Sequence, residues 1–202
     1  MTPKDMAKIT VNLIVIYLIG GLIIAFVYAK TSPVMYKKGL EEKEAALKTM
    51  MPEADKIEEI GKWEPHHKHA GYYIAKKGSE ELGYIVEGFG KGYSSYINFL
   101  VSIDKNFTVK KVSILHHAET PGLGDEIEKD YFLKRLESKN VDTLVVVKGE
   151  AGDKVEAISG ATISSRAVTE DGVRKGVEML KGKLSGAKTE EQGKEHQHGT
   201  HS

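Results

Sequence analysis

Ser159-Gly160-Ala161-Thr162 puts one threonine hydroxyl on a turn of small residues, and Ile163-Ser164-Ser165 opens a helical pattern directly behind it. A helix N-terminus offers unpaired N–H groups and the positive end of a dipole, so it is a natural seat for a phosphate. Residues without bulk let a phosphate-bearing ligand come close to the backbone. For these four residues alone, a Ser/Thr-capped helix after a glycine turn is the simpler reading.

A second constellation precedes it. His116-His117-Ala118-Glu119-Thr120-Pro121-Gly122-Leu123-Gly124-Asp125 follows an apolar alternating run, and its Pro-Gly pair with a second Gly forces a compact loop. Asp125 with Glu128 resembles a capping box for a helix through Leu136. Two further histidine clusters, His66-His67-Lys68-His69 and His196, His198 and His201, invite a metal reading. Neither is joined by cysteine, and neither shows helical spacing with an acidic third ligand, so both read as exposed loop residues rather than a structural zinc site.

Strands and helices must position these groups. Ile97, Phe99, Val101 and Ile103 alternate with other residues, Asp104-Lys105-Asn106 supplies turn chemistry, and Thr108 to Leu115 runs back, which predicts a hairpin. Tyr72–Ala75 and Leu82–Gly88 read as short strands, with residues 58–71 irregular before them. Leu144–Val147 reads as a buried strand, Val155–Ile158 leads into the Ser-Gly-Ala-Thr turn, and a final helix carries the apolar stripe Val168, Val173, Val177, Leu180 and Leu184. From Ser185 the chain is Gly, Lys, Glu, Gln and His, a composition expected to stay unpacked.

At the front, Ile9 to Ala29 carries no charge. At 1.5 Å per residue this run is roughly 30 Å long, enough to cross a bilayer core. It is longer than the roughly 7–15 apolar residues of a cleaved signal, so an uncleaved anchor is expected. Leu40, Ala46, Leu47 and Met50 then recur at helical spacing between Pro33 and Pro52, predicting a helix leaving the membrane. The resulting partition is an anchor over 1–30, one soluble domain over 31–186 and a disordered His-rich tail over 187–202. The basic residues flanking the span do not decide its orientation, but a short leader before a long domain favours an extracytoplasmic domain. Lys plus Arg equals Asp plus Glu at 29 each, so no basic surface argues for nucleic acid. The absence of cysteine excludes disulfides and iron–sulfur ligation by this chain.

The anchor, Glu119-Thr120-Pro121-Gly122-Leu123-Gly124, and Ile158-Ser159-Gly160-Ala161-Thr162-Ile163-Ser164-Ser165-Arg166-Ala167-Val168 occur in that order. Together they resemble the flavin-binding G subunit of the Rnf electron-transport complex, whose domain is shared with the C subunit of the sodium-pumping NADH:quinone reductase. The resemblance covers the anchor and nearly all of the soluble domain, including a first helix that ends in Met-Pro-Glu-Ala. It implies an α+β fold, one transmembrane helix followed by a central antiparallel sheet flanked by helices.

The resemblance also implies FMN held covalently through a phosphoester to Thr162, placed there by a separate flavin transferase. Ser159, Gly160, Ala161 and Ser164 would surround the phosphate, and Glu119, Thr120, Leu123 and Gly124 would pack along the ring. Lys148, near the motif in sequence, is a further contact, and His116 and His117 lie beside the loop without an assigned role. The family's transferase motif often carries aspartate six residues before the acceptor, where this chain has Glu156. The implied role is a redox subunit without independent turnover, passing electrons through FMN. It would work among membrane and iron–sulfur subunits of an inner-membrane complex that couples ferredoxin and NAD chemistry to Na+ or H+ translocation. Two alternatives remain open: the C subunit of the quinone reductase, and an anchored non-redox domain that binds metal or a partner.

Overall fold

The computed structural model describes the backbone of residues 2–195 and the side chains of residues 2–185. The chain divides between Glu44 and Ala45 into two units. In the first, helix α1 (Pro3–Met50, its last turns belonging to the second unit) exposes its apolar side chains, Ile16, Leu22 and Phe26 among them. Its most apolar window has a mean hydropathy of 2.5, and the helix is long and apolar enough to cross a membrane. The separate helix expected after Pro33 is instead part of α1, with Pro33 inside it. An interior proline forfeits one backbone hydrogen bond and crowds the preceding turn. The Ala, Leu, Lys and Glu residues that follow are strong helix formers and carry the helix onward.

The second unit is built on an antiparallel meander of β1 (Lys56–Trp63), β2 (Ala70–Lys77), β3 (Glu80–Lys91), β4 (Tyr96–Asp104) and β5 (Val109–His116), in that spatial order. The expected hairpin is β4–β5, with Val101 opposite Val112. Strand β1 falls where the sequence suggested irregular chain. It is an edge strand whose register slips between Glu59 and Gly61, and its charges Lys56, Glu58, Glu59 and Lys62 blur any period of two. Such charges protect an exposed sheet edge from pairing with another chain.

Both sheet faces are covered. Val86, Ile97, Phe99, Val101 and Ile103 share one buried cluster with Phe132, Leu136, Val168, Val173, Val177 and Leu180. Ile85 and Leu100, one residue out of phase, join Tyr73, Ala75, Met50 and Met51 on the other face. Each fully buried aliphatic side chain contributes roughly 1.5–3 kcal/mol. The last turn of α1 is therefore a structural part of the second unit.

The helix predicted from Asp125 to Leu136 is broken into a 3-10 turn at Gly124–Glu128, α2 (Asp130–Leu133) and a second 3-10 turn at Lys134–Leu136. Asp125 does not cap it. Its carboxylate instead accepts the Leu123 N–H at 3.1 Å and is committed to the preceding loop. Two short strands, β6 (Val146–Val147) and β7 (Val155–Glu156), pair in parallel.

After β7 come α3 (Thr162–Arg166), a π-helical stretch (Ala167–Arg174) and α4 (Lys175–Glu195). The π stretch approaches the sheet very closely, since a Cβ added to Gly90 would sit 1.9 Å from the Ala167 carbonyl oxygen. Asp171 fastens it there by accepting the Lys91 N–H at 2.9 Å and pairing with His66 at 2.7 Å. Helix α4 runs into the region expected to be unpacked tail as far as Glu195, and residues 196–202, with His196, His198 and His201, lie outside the described residues.

Candidate functional site

The parallel pairing of β6 and β7 brings the carboxyl ends of both strands to one side. Lys148 and Gly149 leave one strand there, and Ala157 and Ile158 leave the other. A tight turn follows, closed by an Ala161 N–H to Ile158 carbonyl bond of 3.0 Å. Ser165 locks it from behind: its hydroxyl accepts the Ile158 N–H at 3.0 Å and donates to the Ala161 carbonyl at 2.9 Å. Gly160 is at φ +78°, and a Cβ on it would stand 2.8 Å from Leu123 Cδ1. The backbone conformation therefore favours glycine at this position, and an added methyl would have to displace the Leu123 side chain.

Thr162 is the first residue of α3, behind an Ala161 cap that carries no side-chain acceptor. The first N–H groups of the helix are thus left to whatever occupies the site. Of the three hydroxyls on α3, Ser164 and Ser165 spend theirs on the protein. Among the described residues the Thr162 hydroxyl has no partner, and its side chain is half-buried.

The loop after β5 meets this turn. Its Thr120 carbonyl accepts the Gly124 N–H at 2.9 Å and the Leu123 N–H at 3.2 Å, which curls Pro121-Gly122 outward. Glu119 is 5% exposed and uses its carboxylate as a clamp. Oε1 accepts the N–H groups of Ser94 at 3.0 Å and Ser95 at 3.1 Å, while Oε2 accepts Tyr93 N–H at 3.1 Å and Ser164 Oγ at 2.5 Å. Burial pushes the Glu119 carboxyl up, but the Ser164 hydroxyl and the N–H groups of Ser94, Ser95 and Tyr93 outweigh it and hold the acid below the ordinary glutamate range.

Between these segments lies a pocket of about 810 Å³. Small-ligand sites commonly enclose roughly 300–1,000 Å³. Ser159, Gly160, Ala161, Thr162 and Ser164 line it from the turn side; Glu119, Thr120, Leu123 and Gly124 line it from the loop, and Lys148 from the end of β6. All the residues expected from sequence therefore share one cavity. Two of them also bond each other, the Ser164 hydroxyl donating to the Glu119 carboxylate.

Sequence reasoning missed Tyr93, which lines the pocket from the β3–β4 turn, and Ile163 beside Thr162. The turn-like Gly92-Tyr93-Ser94-Ser95 composition was the available signal for Tyr93. Glu156 also lines the pocket and pairs with Arg135, which reaches its carboxylate at 3.4 Å and its carbonyl at 2.8 Å. His117 stands behind the loop: its Nδ1 accepts the Glu119 N–H at 3.2 Å and its Nε2 meets Glu128 at 3.3 Å. His66 pairs with Asp171, and His69 with Glu64. Among the described residues no group of three or more His, Cys, Asp or Glu is placed to hold a metal ion.

The residues fit a phosphate-bearing planar ligand. The uncapped helix start and Lys148 complement an anion, and the apolar side chains of Leu123 and Ile163 complement a ring. A family model described as the FMN-binding domain matches residues 92–178, a span that contains every segment of this pocket. The chain is 38% identical over 173 residues to the G subunit of the proton-translocating ferredoxin:NAD(+) oxidoreductase complex of Clostridium ljungdahlii, covering 85% of this chain and 90% of that one. It is 30% identical over 172 residues to the G subunit of the ion-translocating oxidoreductase complex of Methanosarcina acetivorans, covering 83% and 90%. Among solved structures, NqrC of Shewanella oneidensis superposes with a TM-score of 0.46 at 25% identity, over 62% of this chain and 66% of that one. Similarity that runs nearly end to end through both relatives, and takes in the whole pocket, makes this chain a member of the G-subunit family of ion-translocating oxidoreductase complexes.

Proposed function

We propose that this chain is the membrane-anchored electron-transfer subunit of an ion-translocating ferredoxin:NAD oxidoreductase complex, carrying FMN ester-linked to Thr162. Residues 1–30 anchor it, residues 31–186 form the flavin domain, and that domain stands on the extracytoplasmic side. When bound, FMN would supply the capacity to take up and release electrons. Its protein partners are the complex's other membrane and iron–sulfur subunits, and a flavin transferase acts on it during maturation.

The observation that carries this reading is the state of the three hydroxyls at the start of α3. Ser164 and Ser165 are hydrogen-bonded within the protein, whereas the Thr162 hydroxyl, at the first position of the helix, lines the pocket without a partner among the described residues, as does that of Ser159 in the preceding turn. A threonine hydroxyl is a poor nucleophile unless a base or metal activates it, and an external transferase provides that activation. The transferase would pass the flavin phosphoryl group from an activated flavin-nucleotide donor: the Thr162 oxygen loses its proton and bonds to phosphorus, the donor's P–O bond to its leaving group breaks, and the chain gains FMN less one water. The N–H groups at the helix start would hold the phosphate oxygens, and Leu123 would shield the ring.

The test is denaturing electrophoresis of wild type, Thr162→Ala and Thr162→Ser, each produced with an active flavin transferase. Flavin fluorescence should travel with the wild-type band and be absent from Thr162→Ala. Thr162→Ser, which keeps a hydroxyl, should retain part of it. Fluorescence that persists in Thr162→Ala excludes this residue as the attachment point.

A further inference from the structure

We propose that the Tyr93 ring is a wall of the flavin site and positions the isoalloxazine; the inference rests on the FMN reading above. Among the described residues Tyr93 is the sole aromatic lining the pocket, and it is 73% exposed there. An aromatic side chain left uncovered in a cavity offers a large flat apolar surface to a planar ligand.

The backbone beneath this ring is fixed rather than a loose loop tip. Glu119 holds the N–H groups of Tyr93, Ser94 and Ser95, the Gly92 N–H reaches the Ser95 carbonyl at 2.8 Å, and Ser95 Oγ accepts the Ala118 N–H at 2.9 Å. At the other end of the turn, Asp171 holds the Lys91 N–H. The exposed side chain thus stands on a clamped backbone, as a preorganised ligand contact does.

The clamp also ties Tyr93 to the attachment point. Glu119 Oε2 accepts both the Tyr93 N–H and the hydroxyl of Ser164, which is two residues beyond Thr162. One carboxylate oxygen therefore sets the ring's base and the helix turn relative to each other. Leu123 and Ile163, 43% and 53% exposed, line the same pocket and supply further apolar surface. A phenol stacked on the flavin excludes water from one face. It also quenches the excited flavin by lending it an electron that afterwards returns. Removing this electron-rich neighbour eases reduction of the ring.

The test uses the full chain in detergent, produced with the transferase, as wild type, Tyr93→Phe and Tyr93→Leu, with flavin loading read by intact mass. At equal loading, Tyr93→Leu should show severalfold brighter flavin fluorescence and a higher midpoint potential. Tyr93→Phe should brighten while keeping a potential near that of wild type, because the flat ring remains. Unchanged fluorescence and potential in a fully loaded Tyr93→Leu overturns the assignment of Tyr93 and leaves the FMN reading standing. If Tyr93→Leu does not load, Tyr93→Phe decides: brighter flavin supports the contact and unchanged flavin contradicts it. A wild type whose mass shows no flavin contradicts both readings together.

Discussion

The carboxylate of Glu119 accepts a 2.5 Å hydrogen bond from the Ser164 hydroxyl, joining the loop after β5 to the first turn of α3 across 45 residues of sequence. The same carboxylate gathers the N–H groups of Tyr93, Ser94 and Ser95. Three segments of the pocket therefore depend on one side chain.

Glu119→Gln replaces an acceptor-only group by one that presents an amide donor to N–H groups already pointing at it. Stability should fall by about 2–3 kcal/mol, as expected when buried donors lose a charged partner. Because the folded acid is held below its ordinary range, the clamp's contribution is full above the unfolded glutamate value of about 4.3 and is lost as pH falls through the lower folded value. Chemical denaturation of both proteins across pH should show a gap that is wide at neutral pH and closes in acid.

Gly160→Ala should cost about 1–2 kcal/mol for a left-handed residue with a side chain, with a further steric penalty against Leu123. Adding Leu123→Ala to Gly160→Ala removes the contact and should recover the steric part alone. A double-mutant cycle read by denaturation separates the two contributions.

How much of this site the sequence reveals depends on the range of the interactions. The Ser159–Thr162 turn at a helix start, the Glu119–Gly124 loop and the Val168–Leu180 stripe are each local patterns, and each is found where the pattern places it. The clamp is not legible, because no spacing rule relates Glu119 to Ser164 or to Tyr93. Strand β1 was hidden by its edge position, where charges replace the alternation that marks buried strands. The Asp125–Glu128 pattern misled for a different reason. The Asp125 carboxylate is taken by the loop N–H of Leu123 ahead of it rather than by an N–H of the turn behind it.

Gly90→Ala tests whether the sheet positions α3. The added methyl would meet the Ala167 carbonyl, a backbone atom that no side-chain rotation can move. Overpacking of this kind should cost about 3 kcal/mol. The damage should extend to the site, since Ala167 follows α3 directly. Thermal unfolding and flavin loading should therefore decline together, whereas Gly78→Ala, in an open turn between β2 and β3, should leave loading intact.

His117 has its tautomer set by its partners. With Nδ1 accepting from the Glu119 N–H, the neutral ring should carry its proton on Nε2, facing Glu128. The hydrogen bond to His117 comes first among the interactions that hold the Glu128 carboxyl below its ordinary range. Nitrogen-15 NMR of labelled histidine should report the Nε2–H tautomer of the neutral ring. A neutral ring protonated on Nδ1 would contradict the geometry.

Whether Thr162 carries the cofactor is tested most directly by intact-mass analysis with peptide mapping. With an active flavin transferase present, the expected result is a single increment of FMN less one water, confined to the peptide spanning Ser159–Arg166 and absent from Thr162→Ala. An unmodified wild-type chain, or the same increment on another peptide, would contradict it.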